Sequence, residues 1–507
     1  MCCRCISRRD FLGSSAAMAA GAALLLPMSA VGMTPSGWTE DLWDPARPLM
    51  SIGKALRVQP ILMYRVAQRK EMNSWKSWSN IQDDASANEE AARITQELKD
   101  LSARAGFPME VLPVVCVTTP EQAAAVHGAG ADATIVYPAT GSGKLLNACI
   151  PDTGAILFVR HKSGPVYYWY EALSVEYLRT EKNPSDTTKR ASIEDVVVDE
   201  ADELLWRLRA LYAAHNFMGA RVVALGGPAG KYAGDAPAVA RERYKMELID
   251  ATYDDLSKRV TAALADEKVM QCARKWTEQY LAIPGTSLET EREFLVNGFV
   301  LYGIFKQMMQ ENDTHIFTIK ECMSTIMPMS KTTACLTLAL LNDEGYAAFC
   351  ESDFVVVPAG ILMRYVTGKP VFMHNSTFPH KAVVTCAHCT GPRRMDGEHY
   401  DPTRLVTHYE SEYGVAPKVE IPVGQEVTFI DPEYTTGRWV GMKGTVEGNP
   451  FYEICRSQQD VRIQGNWKKL MSEVRDSHWM MAYGDHLDAI GYAAKRIGIT
   501  WDNISEG

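Results

Sequence analysis

Short apolar runs and amphipathic stretches alternate along the first third of the chain. The runs Leu56–Val66, Val111–Val117 and Ala133–Tyr137 are rich in aliphatic and β-branched residues, and each predicts a strand. Residues 88–105 repeat apolar positions at helical spacing, and another helix is expected to begin at Pro120. Strands and helices in turn are typical of a parallel, doubly wound sheet.

A second unit of the same type is predicted to follow, and strands become more frequent toward the C-terminus. The predicted elements of this unit are a helix from Asp199 to Asn216, the strand Arg221–Leu225, and helices at 253–265 and 289–311. Residues 316–381 mix helices with strands, and from 382 to 447 the pattern is largely β, as in a barrel or sandwich. The predicted fold class is therefore α/β, with two doubly wound parallel units followed by a β-rich C-terminal domain. The predicted domains are a signal peptide at 1–32, an N-terminal α/β domain at 33–185, a second α/β domain at 186–330, and a mixed, then β-rich domain at 331–507.

The N-terminus has the pattern of an export signal. Arg8 and Arg9 precede a Gly- and Ala-rich apolar run through Leu26, and the small residues 30–32 are suited to cleavage before Met33. This pattern predicts a twin-arginine signal peptide and a periplasmic or otherwise exported protein. Because that route carries folded proteins, a cofactor would be loaded in the cytoplasm.

Composition and charge exclude several classes of partner. The 507 residues are 46% hydrophobic and carry a formal charge of −10, and removal of the leader brings the charge to about −12. This acidic balance argues against nucleic acid and anionic membranes as partners. No later apolar run is long enough to predict stable membrane insertion. Nine of the twelve cysteines follow the leader, and their scattered, odd-numbered set does not predict a disulfide framework.

Acidic and imidazole side chains lie among apolar residues between 341 and 394. Burying such groups without a partner is costly, so they are expected to face a ligand, an ion or one another. The motifs concerned are Leu341–Gly345, Cys350–Asp353, Gly368–Asn375 and Thr385–Arg394. This region is the predicted functional site.

Two of these motifs resemble the L-fucose isomerase and L-arabinose isomerase superfamily. They are Cys350-Glu-Ser-Asp353 and Ala387-His-Cys-Thr-Gly-Pro-Arg393, and the resemblance covers roughly the last two fifths of the chain. It implies aldose–ketose isomerisation of a sugar through an enediol stabilised by Mn²⁺ or another divalent cation, in a homo-oligomer such as a trimer or hexamer. On this basis Glu351 is a metal ligand and proton carrier, and His388 and His478 complete the shell of the ion.

The remaining assignments are less direct. Asn375 stands where the isomerases have their second acid, and as an amide it neither accepts a proton nor neutralises an ion at ordinary pH. Asp353 is therefore the candidate for the second proton transfer, or alternatively the N-cap of a helix that begins there. Asn375, Glu410 and Arg393 are candidate substrate-binding residues, and Glu410 is alternatively part of a strand-to-turn junction.

Each candidate also has a purely structural interpretation. The structural alternatives are a buried carboxylate satisfied by helix N-terminal amides for Glu351, core packing for His388, and a polar surface position for His478. The spacing of Cys386 and Cys389 is that of a redox pair or half a zinc site, but no second such pair accompanies it and packing is favoured. The alternative function is a periplasmic carbohydrate-binding or sugar-processing protein of the same fold without the metal-dependent activity.

Overall fold

The computed structural model describes residues 38–128, 130–167 and 191–506, and the predicted signal peptide at 1–32 lies outside them. The chain forms two compact units. Among described residues, the first contains 54–167 and 191–212, without residue 129, and the second contains 38–53 with 213–506. The domains predicted at 186–330 and 331–507 thus lie mostly in one compact unit.

The first unit is built on a parallel sheet. Its strands are β1 (Leu56–Met63), β2 (Met109–Val111), β3 (Val115–Val117), β4 (Ala133–Pro138), β5 (Ile156–Val159) and β6 (Val196–Val198). β1 pairs with β2, β3 and β4, and the sheet continues through β5 to β6. The intervening helices are α1 (Asp84–Ala103), α2 (Pro120–His127) and α3 (Gly143–Cys149). The run predicted as one strand at 111–117 is two strands, because Pro113 lacks the N–H that a continuous ladder requires.

The second unit contains a second parallel sheet. Helix α4 (Ala201–Phe217) precedes β7 (Arg221–Leu225) in the chain. The sheet also contains β8 (Glu247–Ala251), β10 (Ile316–Ile319) and β11 (Ala347–Phe349), in the order β11-β10-β7-β8. A smaller sheet joins β9 (Thr286–Leu288), β14 (Thr403–Val406) and β15 (Ala416–Val419).

Helices connect these strands and supply much of the apolar core. They are α5 (Ala236–Arg243), α6 (Tyr253–Ala265), α7 (Glu267–Leu281), α8 (Arg292–Glu311), α9 (Met327–Ser330), α10 (Cys335–Glu344) and α11 (Val357–Thr367). The buried face of α8 packs against α7. Phe299 of α8 and Trp276 of α7 are both fully buried in this core. Among the described residues, no helix combines the length and apolar character needed to cross a membrane.

The C-terminal strands close into an antiparallel barrel. They are β12 (Phe372–Ser376), β13 (Val383–His388), β16 (Glu426–Asp431), β17 (Arg438–Gly448), β18 (Ser457–Ile463) and β19 (His478–Tyr483). Their order is β16-β19-β12-β13-β18-β17, and β17 pairs back to β16. β20 (Thr500–Asn503) adds to β17 in parallel, and α12 (Trp467–Glu473) and α13 (Leu487–Arg496) complete the unit. The predicted α/β fold class is confirmed, and the β-rich part is a barrel rather than a sandwich.

The helix predicted from Asp353 begins later, at Val357. Glu351 and Ser352 have left-handed backbone conformations, with φ of +62° and +48°, which no helix continues. Pro358 then lies in the first turn of α11, where proline is tolerated. Asp353 is therefore not the N-cap of this helix, and its carboxylate is used elsewhere.

Candidate functional site

A strained turn after β11 carries Glu351. Left-handed conformations cost non-glycine residues roughly 1–3 kcal/mol each, so the contacts around the turn must hold it in place. Ala229, in the loop after β7, bonds to the residues on either side of Asp353: its N–H donates to Ser352 O at 3.0 Å, and its carbonyl accepts from Phe354 N at 2.9 Å. The loop after β7 thus holds the C-terminal end of the turn that carries Glu351.

Three predicted metal ligands come together at this turn. Glu351 Oε1 lies 3.7 Å from Nε2 of His388 and 3.7 Å from Nε2 of His478. One potential ligand atom from each residue lies within 4.8 Å of the other two. His388 ends β13 and His478 begins β19, and both strands neighbour β12 in the barrel. We call Glu351, His388 and His478 the imidazole–carboxylate cluster.

Lys231 contacts the same cluster and was missed by sequence reasoning. Its Nζ lies 3.2 Å from Glu351 Oε2 and 3.4 Å from His478 Nε2. It follows Gly230, where an added Cβ would overlap the carbonyl oxygen of Ala233, so this close turn requires glycine. The glycine-rich loop after a predicted strand was the available signal, because such loops lie at the ligand edge of a sheet.

Asp353 is almost completely buried and orients His478. Its Oδ2 lies 2.7 Å from His478 Nδ1, while Oδ1 accepts from the backbone N–H groups of Lys231 and Val355 at 2.9 and 3.2 Å. With the Nδ1 proton donated to this carboxylate, Nε2 of His478 presents its lone pair to the cluster. Carboxylates support metal-binding histidines in this way, so the contacts give Asp353 a positioning role.

His388 is oriented similarly by a hydroxyl group. Its Nδ1 lies 3.1 Å from Thr390 Oγ1, so Nε2 faces Glu351. The ring centroids of His388 and His478 are 6.0 Å apart. Both imidazoles therefore direct the same type of nitrogen toward one carboxylate.

The surroundings favour an ionised Glu351 and a neutral neighbouring imidazole. Burial alone would raise the pKa of Glu351, but its interactions with His388, His478 and Lys231 lower this pKa well below its ordinary value. Burial, together with His388 and His478, lowers the pKa of His374 to about 3, despite a hydrogen bond to the Asn375 carbonyl. At neutral pH the cluster therefore holds a charged carboxylate.

A surface depression is lined by Ser477 and Trp479, the chain neighbours of His478. Its volume is about 440 Å³, and its lining includes Ser376, Asp476 and Ser477, with Tyr232 and Phe378 as exposed aromatic residues. This volume lies within the range of small-molecule sites. The lining places polar groups beside aromatic faces.

Asp476 is a second acid that sequence reasoning did not select. A carboxylate oxygen of Asp476 lies within 4.8 Å of ligand atoms of Asp353 and His478. Burial raises the pKa of Asp476, and the charge on Asp353 adds to this effect. Its position two residues before His478, in the polar segment preceding a strand, was the only sequence signal.

The predicted substrate-binding residues lie at different distances from the cluster. Asn375 is directly opposite His478 in the β12–β19 register. Glu410 is exposed in the segment after β14, near His408. The structure does not bring Arg393 to the cluster: it is fully buried, its N–H donates to Asp343, and its guanidinium lies over the rings of Tyr280 and Tyr400.

Comparison with known proteins supports the export signal. The family described as TAT (twin-arginine translocation) pathway signal sequence matches residues 5–24, which confirms the predicted twin-arginine signal. A comparison with curated proteins gives no match. The chain is thus an exported protein of mixed α/β fold, with parallel sheets and a closed antiparallel barrel.

Proposed function

We propose that this protein is an exported, metal-dependent aldose–ketose isomerase. The observation that carries the proposal is the convergence of Glu351, His388 and His478, whose potential ligand atoms lie within 4.8 Å of one another. Asp476, which has a carboxylate oxygen within 4.8 Å of a His478 ring nitrogen, also lines a depression of about 440 Å³. The motif resemblance to the fucose and arabinose isomerases points to the same reaction class. A homo-oligomer of three or six chains forms part of the proposal by that resemblance.

The donor set fits a first-row divalent ion such as Mn²⁺. One ionised carboxylate and two imidazoles with Nε2 directed inward are suitable ligands, and Asp353 gives one imidazole the required tautomer. Glu351, His388 and His478 would hold the ion. When bound, it would supply stabilisation of the negative charge that develops on the substrate oxygens.

The side chains divide the remaining work. Glu351, kept ionised by its neighbours, accepts the proton from the substrate carbon. Asp476 lines the depression and is better placed than Asp353 to return a proton, since both Asp353 oxygens are already engaged. Tyr232 and Phe378 offer exposed ring faces for the sugar, and Asn375 offers an amide to a hydroxyl group.

A conversion assay tests the proposal directly. Pentoses, hexoses and deoxyhexoses are incubated with the protein and Mn²⁺, and ketose formation is measured alongside the bound metal. Glu351→Gln should abolish both conversion and Mn²⁺ binding, whereas Glu453→Gln, at an exposed position, should leave both unchanged. A protein that binds no Mn²⁺ and converts none of these sugars would contradict the proposal.

A metal-free sugar-binding protein is the second candidate function. Lys231 favours it, because its ammonium group already lies within ion-pair distance of Glu351 and 3.4 Å from His478 Nε2. Asn375 favours it too, because an amide supplies no negative charge to an ion.

Two substitutions separate the candidates. If an ion competes with the lysine, Lys231→Met should increase Mn²⁺ affinity, and Asn375→Asp should increase it by adding a charge. Isothermal titration with Mn²⁺ and with sugars measures both effects. Sugar binding by a metal-free wild-type protein, with no Mn²⁺ binding by either variant, would support the second candidate.

A further inference from the structure

Three cysteines from separate parts of the sequence meet in the second unit. Cys335 begins α10, Cys389 follows β13 and Cys455 precedes β18. Cys335 and Cys389 form a small buried group with Ala416, and Cys455 packs against it. The Cys389 thiol hydrogen-bonds with the thiols of both Cys335 and Cys455. The fold thus brings three sulfur atoms into contact.

An imidazole joins these sulfur atoms. A ring nitrogen of His408 and the Sγ atoms of Cys335 and Cys389 all lie within 4.8 Å of one another. Ser411 Oγ lies 3.3 Å from His408 Nδ1, which leaves Nε2 as the nitrogen for a further partner. All three residues are at most 6% exposed. We call Cys335, Cys389, Cys455 and His408 the thiol cluster.

We infer that the thiol cluster is a metal site for Zn²⁺. Three cysteines and one histidine are an established tetrahedral ligand set for structural zinc. Sulfur ligands of one zinc ion are roughly 3.8 Å apart, given Zn–S distances of about 2.3 Å. Among Cys335, Cys389 and His408, the spread of up to 4.8 Å requires a contraction of at most about 1 Å. Cys455, whose thiol contacts Cys389, would complete the ligand set by turning toward the other two residues. Binding would release the thiol protons to solvent.

One backbone group contacts a sulfur atom of the cluster. The N–H group of Arg456 donates a hydrogen bond to the Cys389 sulfur. Hydrogen bonds of this kind fix metal ligands in place and stabilise their charge. Cys386, three residues before Cys389, lies instead in the barrel core, so the sequence spacing C-x-x-C does not define the site.

A disulfide is the competing explanation, because contacting thiols in exported proteins are often oxidised. A disulfide would join two of the sulfur atoms and leave the third thiol and His408 without a role. The twin-arginine signal favours zinc over a disulfide. Because this route exports folded proteins, the ion can bind in the cytoplasm before the thiols are exposed to an oxidising compartment.

Zinc analysis and X-ray absorption on the full exported protein test this inference. Purified without chelator from zinc-containing medium, the protein should hold close to one zinc ion per chain, with sulfur neighbours at about 2.3 Å. Cys455→Ser, at a partly exposed position, should lose most of this zinc. Cys386→Ser, a buried cysteine outside the cluster, should retain it.

Three results would overturn the inference. They are a wild-type protein without sulfur-bound zinc, a disulfide between two of these cysteines in denatured, alkylated protein, and equal zinc loss in Cys386→Ser. The wild-type spectrum decides the question even if a variant fails to fold. Glu351→Gln should leave the sulfur-bound zinc in place, so failure of the proposed isomerase function is distinguishable from failure of this site.

Discussion

Replacing Asp353 with asparagine tests whether His478 is held as a metal ligand. The asparagine carbonyl can still accept from the N–H groups of Lys231 and Val355, so the strained turn keeps its support. The amide NH₂ would then face His478 Nδ1, which must become an acceptor. The ring proton would move to Nε2, and the cluster would lose a lone pair.

The expected loss follows from the role of such carboxylates. Removing the partner of a metal-binding histidine lowers metal affinity about 10–100-fold, which corresponds to about 1.4–2.8 kcal/mol of binding free energy. Exchange of a buried, charge-assisted hydrogen bond for a neutral one should also lower the free energy of unfolding by roughly 1–1.5 kcal/mol. The 2.7 Å contact in a fully buried environment places both effects at the upper part of these ranges.

Mn²⁺ titration by calorimetry, together with urea unfolding, measures the two effects separately. Asp343→Asn is the matched control, because Asp343 is also buried and its Oδ1 accepts two consecutive backbone N–H groups, those of Arg393 and Arg394. The control should leave Mn²⁺ affinity unchanged. A folded Asp353→Asn protein with wild-type affinity would refute the assigned tautomer and the positioning role.

Three further predictions concern stability. Phe429→Ala, in the barrel core, should lower the free energy of unfolding by about 3–5 kcal/mol in a urea titration, and a loss below about 1 kcal/mol would contradict tight packing there. Gly360→Ala should cost about 1–3 kcal/mol in the same assay, because an added Cβ would lie 2.6 Å from side chains of β11 and β19. Burial alone would raise the pKa of Asp199, but hydrogen bonds from the Ser163 hydroxyl and from the N–H groups of residues 161–163 lower this pKa below 3.8. The ionised Asp199 therefore stabilises the folded protein above pH 3.8, and this contribution is lost on acidification. Asp199→Asn should flatten the fall in melting temperature between pH 5 and 3, and an unchanged slope would contradict this assignment.

Much of the fold follows from periodicity, and the differences have local causes. The strand Arg221–Leu225 and the helix at 253–265 were predicted with the bounds that the structure has. Helix α1 begins earlier than predicted, because Asp83 and Ser86 form a capping box before its apolar positions start. The closure of the barrel was not predictable, because it depends on pairings between strands far apart in the sequence, such as β12 with β19 and β13 with β18.

The site was predictable only where a motif marked it. The motifs located Glu351 and His388, and the structure brings both together with His478. Lys231 and Asp476 belong to polar loops, in which no periodicity indicates the direction of a side chain. Their role depends on the left-handed turn at Glu351 and on the loop after β7, which are tertiary features.

Charge, more than geometry, separates the two candidate functions. Two unit charges 4 Å apart interact by about 4 kcal/mol near a protein surface, so the Lys231 ammonium at 3.2 Å from Glu351 opposes an incoming cation substantially. Asn375 removes a further negative charge at the position opposite His478. Lys231 and Asn375 act in the same direction and adjoin the same residues, so their replacements should not be additive. An ion that binds only in the double variant Lys231→Met/Asn375→Asp would mean that the three ligands are correctly placed and that charge alone prevents metal binding in the wild-type protein.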